Sequence, residues 1–152
     1  ATLGLPFGFA SHFAPEMLLD ALDVYRRYFQ PSHRLAKPYV MLGVNCVLAD
    51  TDAEARRLFT SAQQQFTNLF RGAPGKVQPP LDSMDDYWSP GEKAGVDRAL
   101  RLAIVGTRDS ARAQFDDFIA RTQADELMLT AQIFDHEARL RSYQLAAALR
   151  ED

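Results

Sequence analysis

Val40-Met41-Leu42-Gly43-Val44-Asn45-Cys46-Val47-Leu48 is almost unbroken apolar sequence. A strand with one face in water alternates apolar and polar residues, whereas a run of this kind reads as a strand covered on both faces, as in a parallel sheet. Thr51-Asp52-Ala53-Glu54 follows at once with the Ser/Thr-x-x-Glu spacing of a capping box. Ala55, Leu58, Phe59, Ala62, Phe66, Leu69 and Phe70 then recur at helical spacing to Arg71. A buried strand that leads directly into an amphipathic helix is the unit of an α/β fold.

The same unit repeats on both sides. Upstream, Leu5 to Ala10 is a short apolar run whose Pro6 suits only the start or edge of a strand. Pro15 and Glu16 then open a helix, with Leu18, Leu22, Tyr25 and Phe29 on one face and Gln30-Pro31-Ser32 as its stop. Downstream, Leu102 to Gly106 is a third short strand, and Thr107 caps a helix with Ala111, Phe115, Phe118 and Ile119 on its apolar face. Glu126 to Ala131 is a fourth, extending toward Phe134, and Asp135 caps a last helix with Leu140, Tyr143 and Ala147 on one face. Four βα units make either a small open parallel sheet or half of an eight-unit barrel, since a whole barrel typically takes about 250 residues. The second and third units are separated by residues 72–101. That insertion begins with a Pro- and Gly-rich loop too long to be a plain connection. It ends in a helix from Pro90 to Arg101 that Ser89 and Glu92 cap.

Composition narrows the functional classes. The 152 residues, 47% hydrophobic and 24% charged, form one globular domain. A net charge of -3 argues against a nucleic-acid binder that works through a basic surface. The longest apolar stretch is too short to span a bilayer, and Ala1-Thr2-Leu3-Gly4 lacks the basic start of a signal peptide, so the expected location is cytoplasmic. Cys46 has no partner cysteine and no basic neighbour in sequence, which reads as a buried, inert thiol. His136 has no second ligand at helical spacing and His33 lies in a loop, so no metal site is expected. Arg71-Gly72-Ala73-Pro74-Gly75-Lys76 fails as a phosphate loop on spacing and on the missing Ser/Thr, and no Gly-x-Gly-x-x-Gly is present. Gly106-Thr107 offers either an anion site at a helix start or an ordinary cap. Asn45, inside a buried run, must find partners, either a ligand or backbone.

Gly4-Leu5-Pro6-Phe7-Gly8-Phe9-Ala10-Ser11-His12-Phe13-Ala14-Pro15 resembles the luciferase-like flavin monooxygenases, the family of bacterial luciferase, and within it the alkanal-monooxygenase-like branch. Gly43 to Ala55 is similar to that family's sixth strand and helix start, Val105 to Ala111 to the turn after the seventh strand, and Ala124 to Leu129 with Phe134-Asp135-His136 and Arg141-Ser142-Tyr143 to the eighth strand and final helix. The resemblance covers essentially the whole chain. It implies strands five to eight of a TIM (β/α)8 barrel, that is, the C-terminal half only.

The resemblance further implies a reduced FMN cofactor (F420 in other branches), with a flavin reductase as its source. One oxygen atom of O2 would be added to a small organic substrate by a homodimeric enzyme. The phosphate-binding turn is expected just upstream of Ala1, and the active-site histidine and phosphate-binding arginines further upstream. No catalytic residue is therefore assigned to this chain, and the piece alone is expected to be inactive. Gly8, Phe9, Ala10, Ser11 and His12 would lie at a strand's C-terminal end against the flavin ring, where barrel active sites sit. The alternative places Phe7 and Phe9 in the core, with His12 capping the next helix. Trp88 would either flank the flavin from the insertion or pack that insertion onto the barrel rim. Two competing readings remain: a non-catalytic half-barrel that self-associates or complements another subunit, and a compact α/β ligand-binding module unrelated to flavin.

Overall fold

The computed structural model describes residues 1–149. In chain order it contains β1 (Phe7–Phe9), a 3-10 turn (Pro15–Met17), α1 (Leu18–Arg27), β2 (Val40–Leu48), α2 (Asp52–Phe70), α3 (Pro90–Ala99), β3 (Ile104–Gly106), α4 (Arg108–Thr122), β4 (Glu126–Thr130) and α5 (His136–Ala148). Every strand pairing is parallel. The nine-residue apolar run is β2, residue for residue, and all of it except Met41 is buried.

Local chemistry starts each helix. Thr51 Oγ1 accepts from Glu54 N at the head of α2. Ser89 and Glu92 form a reciprocal capping box at α3, and Thr107 forms one with Ser110 at α4. Asp135 accepts from Ala138 N at α5. Thr107 is thus engaged as a cap, and its backbone N–H donates to Asp52 Oδ1 on α2.

All four βα units are present, but the strands do not pair as a run of four neighbours. β2 is the hub. It takes β1 along Val40 to Leu42, β4 along Met41 to Asn45, and β3 along Cys46 to Leu48. β1 and β4 both pair with Met41 and Leu42, so they flank β2 on opposite edges. β3 is a three-residue strand on the last residues of β2, and it does not separate β2 from β4. Chain order therefore differs from spatial order at β3, because Ile104 to Gly106 is too short to interpose a ladder along the five paired residues of β4.

Residues in register on parallel strands share a face. Phe7, Phe9, Val40, Leu42, Val44, Cys46, Leu127 and Leu129 form one face of the sheet. They pack against Leu18, Leu22 and Tyr25 of α1, Ala111 and Phe118 of α4 and Ala146 of α5 in the main core. The helix face expected on α5 is not the buried one: Leu140 and Tyr143 are exposed, and Ser142 and Ala146 are buried. The reason is a hydrogen bond. Ser142 Oγ accepts from the buried Leu48 N–H, a donor that has no strand partner at that edge. β4 also stops at Thr130 rather than near Phe134, because the next backbone donor, Ala131 N, turns to the Tyr143 hydroxyl.

Residues 72–89 run as an ordered strap along α2. Ser61 Oγ donates to Gln78 O, Gln64 Nε2 donates to Pro79 O, and Thr60 Oγ1 accepts from Leu81 N. A segment containing Pro79 and Pro80 carries more acceptors than donors, and these buried side chains supply what it lacks. At its end Arg71 forms a two-pronged pair with Glu92.

Candidate functional site

The opposite face of the sheet carries Gly8 on β1, Met41, Gly43 and Asn45 on β2, and Glu126, Met128 and Thr130 on β4. Ala10 lies beside Gly43 on the same side. Over β1 and β4 this face has no helix on it: Gly8 and Ala10 are exposed, and Met128 is 53% exposed. The result is a shallow floor of small residues and methionine that rises to polar groups at the strands' C-terminal ends.

Those polar groups are tied to one another. His12 N donates to Gly43 O at 2.9 Å, continuing the β1–β2 ladder past β1. Its imidazole lies directly over Gly43, where any Cβ would run into Nδ1 and Cε1 of the ring. Asn45, 3% exposed, sends Nδ2 to the His12 carbonyl at 3.2 Å and accepts the Thr130 hydroxyl on Oδ1 at 3.0 Å. Asn45 therefore bonds to backbone and to a neighbouring strand. His12 Nδ1 is itself buried and has no partner among the described residues, and the same holds for Gln132 Oε1 just beyond β4. Phe13 stands edge-on to His12, with ring centres 6.2 Å apart, and reaches Phe66 of α2 at 5.8 Å.

The six candidate residues do not form one surface. Gly8, Ala10 and His12 share the open face. Phe9 points the other way and packs against the main core beside Phe7, the alternative placement for that residue. Ser11 is 1% exposed, and its hydroxyl is spent on Gly43 O at 2.6 Å, which fastens the turn after β1. Strand alternation is the cause: a ring resting on one face of β1 meets every second side chain. Trp88 packs the insertion against Phe66, Val96 and Leu100 at the α2–α3 seam, with Lys93 Nζ 5.6 Å from its ring centre. His33 and His136 each meet a neighbouring arginine at the surface.

Among the described residues no helix is long and apolar enough to cross a membrane. Burial pushes the Cys46 thiol up to about 12, so it stays protonated and unreactive. At the end of β2, Asp50 pairs with Arg141 of α5 at 2.6 Å beside a cavity of about 340 Å³ lined by Leu48, Glu54 and Leu58. Thr130 and Gln132 fall at the end of the strand the sequence predicts, but the sequence reading did not assign them to the site. Their signal was position: the last residue of a strand and its i+2 neighbour, polar after an apolar run.

No family model matches the sequence. Over all 152 residues, however, the chain is 49% identical to a luciferase-like monooxygenase of Escherichia coli K12, of which it covers 45%. This match along the whole chain supports the luciferase-like monooxygenase family. Over 145 residues it is also 46% identical to the uncharacterized protein YvbT of Bacillus subtilis, covering 43% of it. Among solved structures, apo-MsnO8 matches 98% of the chain with a TM-score of 0.77 at 28% identity, and the chain covers 46% of it. Monooxygenase RslO1 from Streptomyces bottropensis shares the fold, with a TM-score of 0.63 over 97% of this chain and 41% of its own. This luciferase-like chain thus spans less than half the length of the curated relatives it matches.

Proposed function

We propose that the chain is the C-terminal half of a flavin-dependent monooxygenase that uses reduced FMN and O2 to oxidise a small organic substrate, and that it is inactive as this piece alone. The observation that supports this reading most is the bare face of the sheet. Its centre is free of large side chains at Gly8 and Ala10, and at its rim the His12 imidazole covers Gly43, with Nδ1 buried and unpartnered among the described residues. A flat heteroaromatic ring fits such a surface, since it covers small residues closely and brings polar edge atoms to the rim. A residue placed at Gly8 would meet only Met41 Cε, at 3.5 Å, so the fold itself leaves that space open.

Reduced flavin, when bound, supplies the activation of O2. The chain's own residues do the rest in this proposal. The Gly8–Ala10 backbone forms a seat, Met41 and Met128 exclude water from one side, and the His12 ring, resting on Gly43, meets a polar ring atom. A flavin reductase would deliver the reduced cofactor, and the enzyme would be a cytoplasmic homodimer. F420 is the alternative cofactor.

A chain extended upstream to its relatives' length is expected to bind FMN and to consume O2 when a reductase and NADH are supplied. The 152-residue chain is expected to give no turnover in the same assay. An extended protein that takes up no flavin, or sustained FMN-dependent oxidation by the 152-residue chain, overturns the reading. A second reading, a half-barrel that works by assembly, is favoured by the free outer edge of β4 and by Met128 standing open beside it. A dimeric mass for the 152-residue chain by light scattering, with no flavin uptake by the extended protein, would select it.

A further inference from the structure

We propose that Asn45 and Thr130 are positioning residues for His12, holding its imidazole over Gly43 with the Nδ1 edge against the strand, so that the other edge of the ring meets the ligand. The ligand side of this inference rests on the flavin reading above; the positioning side does not. Nothing in β1 itself fixes His12, which lies three residues beyond the end of the strand in a turn. Two bonds hold its main chain. Its N–H reaches Gly43 O, and its carbonyl accepts from Asn45 Nδ2 at 3.2 Å. Both anchors are on β2, so the ring is placed relative to the central strand of the sheet.

Asn45 performs this role only in one orientation of its amide. If the amide turned over, Oδ1 would face the His12 carbonyl, acceptor against acceptor. The Thr130 hydroxyl selects the other orientation, because it donates to Oδ1 at 3.0 Å. A hydroxyl on β4 thereby fixes an amide on β2, which fixes a carbonyl after β1. The clamp spans three strands at their C-terminal ends. Asn45 is buried and so cannot exchange these bonds for water. Gly43 completes the arrangement, since any side chain there would displace the ring.

What remains is Nδ1, buried against the strand and unpartnered among the described residues. Packed against Gly43, Nδ1 is closed to the open face, and the half-buried ring meets a ligand at Nε2. The ligand class is a planar heterocycle bearing ring N–H or carbonyl groups, because an imidazole nitrogen accepts or donates according to tautomer.

The test uses the 152-residue chain and four variants. In the wild type, nuclear Overhauser effects are expected between the His12 ring protons and the Gly43 Hα protons. Asn45→Asp, which keeps the size of the side chain but not its donor, and Thr130→Val, which keeps the shape but not the hydroxyl, are expected to lose them. Thr130→Ser is expected to retain them, while Gly43→Ala abolishes the contact directly. Unchanged ring contacts in both Asn45→Asp and Thr130→Val overturn the positioning role. Lumiflavin, the flavin ring without its phosphate tail, is then titrated into the wild type. It is expected to shift the His12 ring resonances and to bind about threefold to tenfold more weakly to Thr130→Val, the loss expected for one hydrogen bond. Ring contacts that follow the predicted pattern without any lumiflavin shift at His12 would leave the clamp standing and overturn the ligand side of this inference, whereas the flavin reading itself falls only if the extended protein takes up no flavin.

Discussion

β2 and β4 lie side by side in register over five residues, Met41 opposite Glu126 through Asn45 opposite Thr130, yet their environments are opposite. Eight of the nine β2 residues are buried, whereas no residue of β4 is. β2 has neighbours on both edges, α1, α4 and α5 on one face, and α2 against Val47 at the end of the other. Among the described residues β4 has an unpaired outer edge, an open face at Met128 and, on its helix side, a groove of about 720 Å³ lined by Phe115, Ile119, Leu127 and Leu129 and rimmed by Arg112, Asp116, Asp125 and Glu126. The difference teaches where this chain is self-sufficient and where it is open. An unpaired strand edge beside an exposed methionine is the mark of an element that can receive one more layer.

Leu42 and Leu127 test this most strongly, because they are register partners of the same residue type on the same face. Leu42 is fully buried. Leu42→Ala is expected to cost about 3 kcal/mol, since it leaves a cavity the surrounding core cannot close. Leu127→Ala is expected to cost about 1 kcal/mol, because part of its surface is already in water. Denaturant unfolding of both variants gives the ratio. Equal losses would erase the distinction between the two strands. In a chain extended to its relatives' length, the Leu127→Ala loss is expected to rise toward that of Leu42→Ala.

Ser142→Ala comes next. It removes the acceptor for Leu48 N–H, and both residues are essentially buried. A buried donor left unpaired costs about 2 kcal/mol. Hydrogen exchange at Leu48 is the local readout, expected to accelerate in Ser142→Ala while exchange along β4 stays unchanged. Met128→Ala should cost less than about 0.5 kcal/mol in the same unfolding experiment, as expected for an exposed side chain away from any packed feature.

This ordering also explains what was legible in the sequence. The β2 run was readable because burial on both faces leaves it apolar except for Asn45, and the caps at Thr51, Ser89, Thr107 and Asp135 were readable because capping is a local bond. The buried face of α5 was not, because its central residue is a serine buried for its oxygen, which an apolar periodicity passes over. The same holds for Thr60, Ser61 and Gln64 on α2, whose burial answers the carbonyls of a proline-rich strap some fifteen to twenty-one residues away. The place of β3 was illegible for another reason: pairing partners are a tertiary choice, and three residues carry too little pattern to make it. Of the candidate stretch, Gly8, Ala10 and His12 share the open face. Phe9 and Ser11 came with them only because the stretch was taken whole instead of every second residue.

The smallest expected effect lies where the two strands' surroundings meet, at the Asp50–Arg141 pair between the end of β2 and α5. The Arg141 guanidinium, hydrogen-bonded to Asp50, holds the Asp50 carboxyl below its ordinary value. A carboxyl depressed in the folded state contributes stability that is present above its unfolded pKa of about 3.9 and is lost as pH falls through the lower folded value. Both side chains are more than half exposed, so the contribution to folding is screened. The sensitive measurement is therefore the titration itself. Followed by carboxyl NMR, Asp50 should titrate below the usual aspartate range in the wild type and move up toward it in Arg141→Ala, with the unfolding midpoint near neutral pH hardly changed. Raising the salt concentration should narrow the gap between the two curves, because an exposed pair is open to screening. If Arg141→Ala instead destabilised the fold as much as Ser142→Ala, the end of β2 would be held by surface charge rather than by the buried Ser142 bond, and the contrast between buried β2 and open β4 would no longer follow from burial.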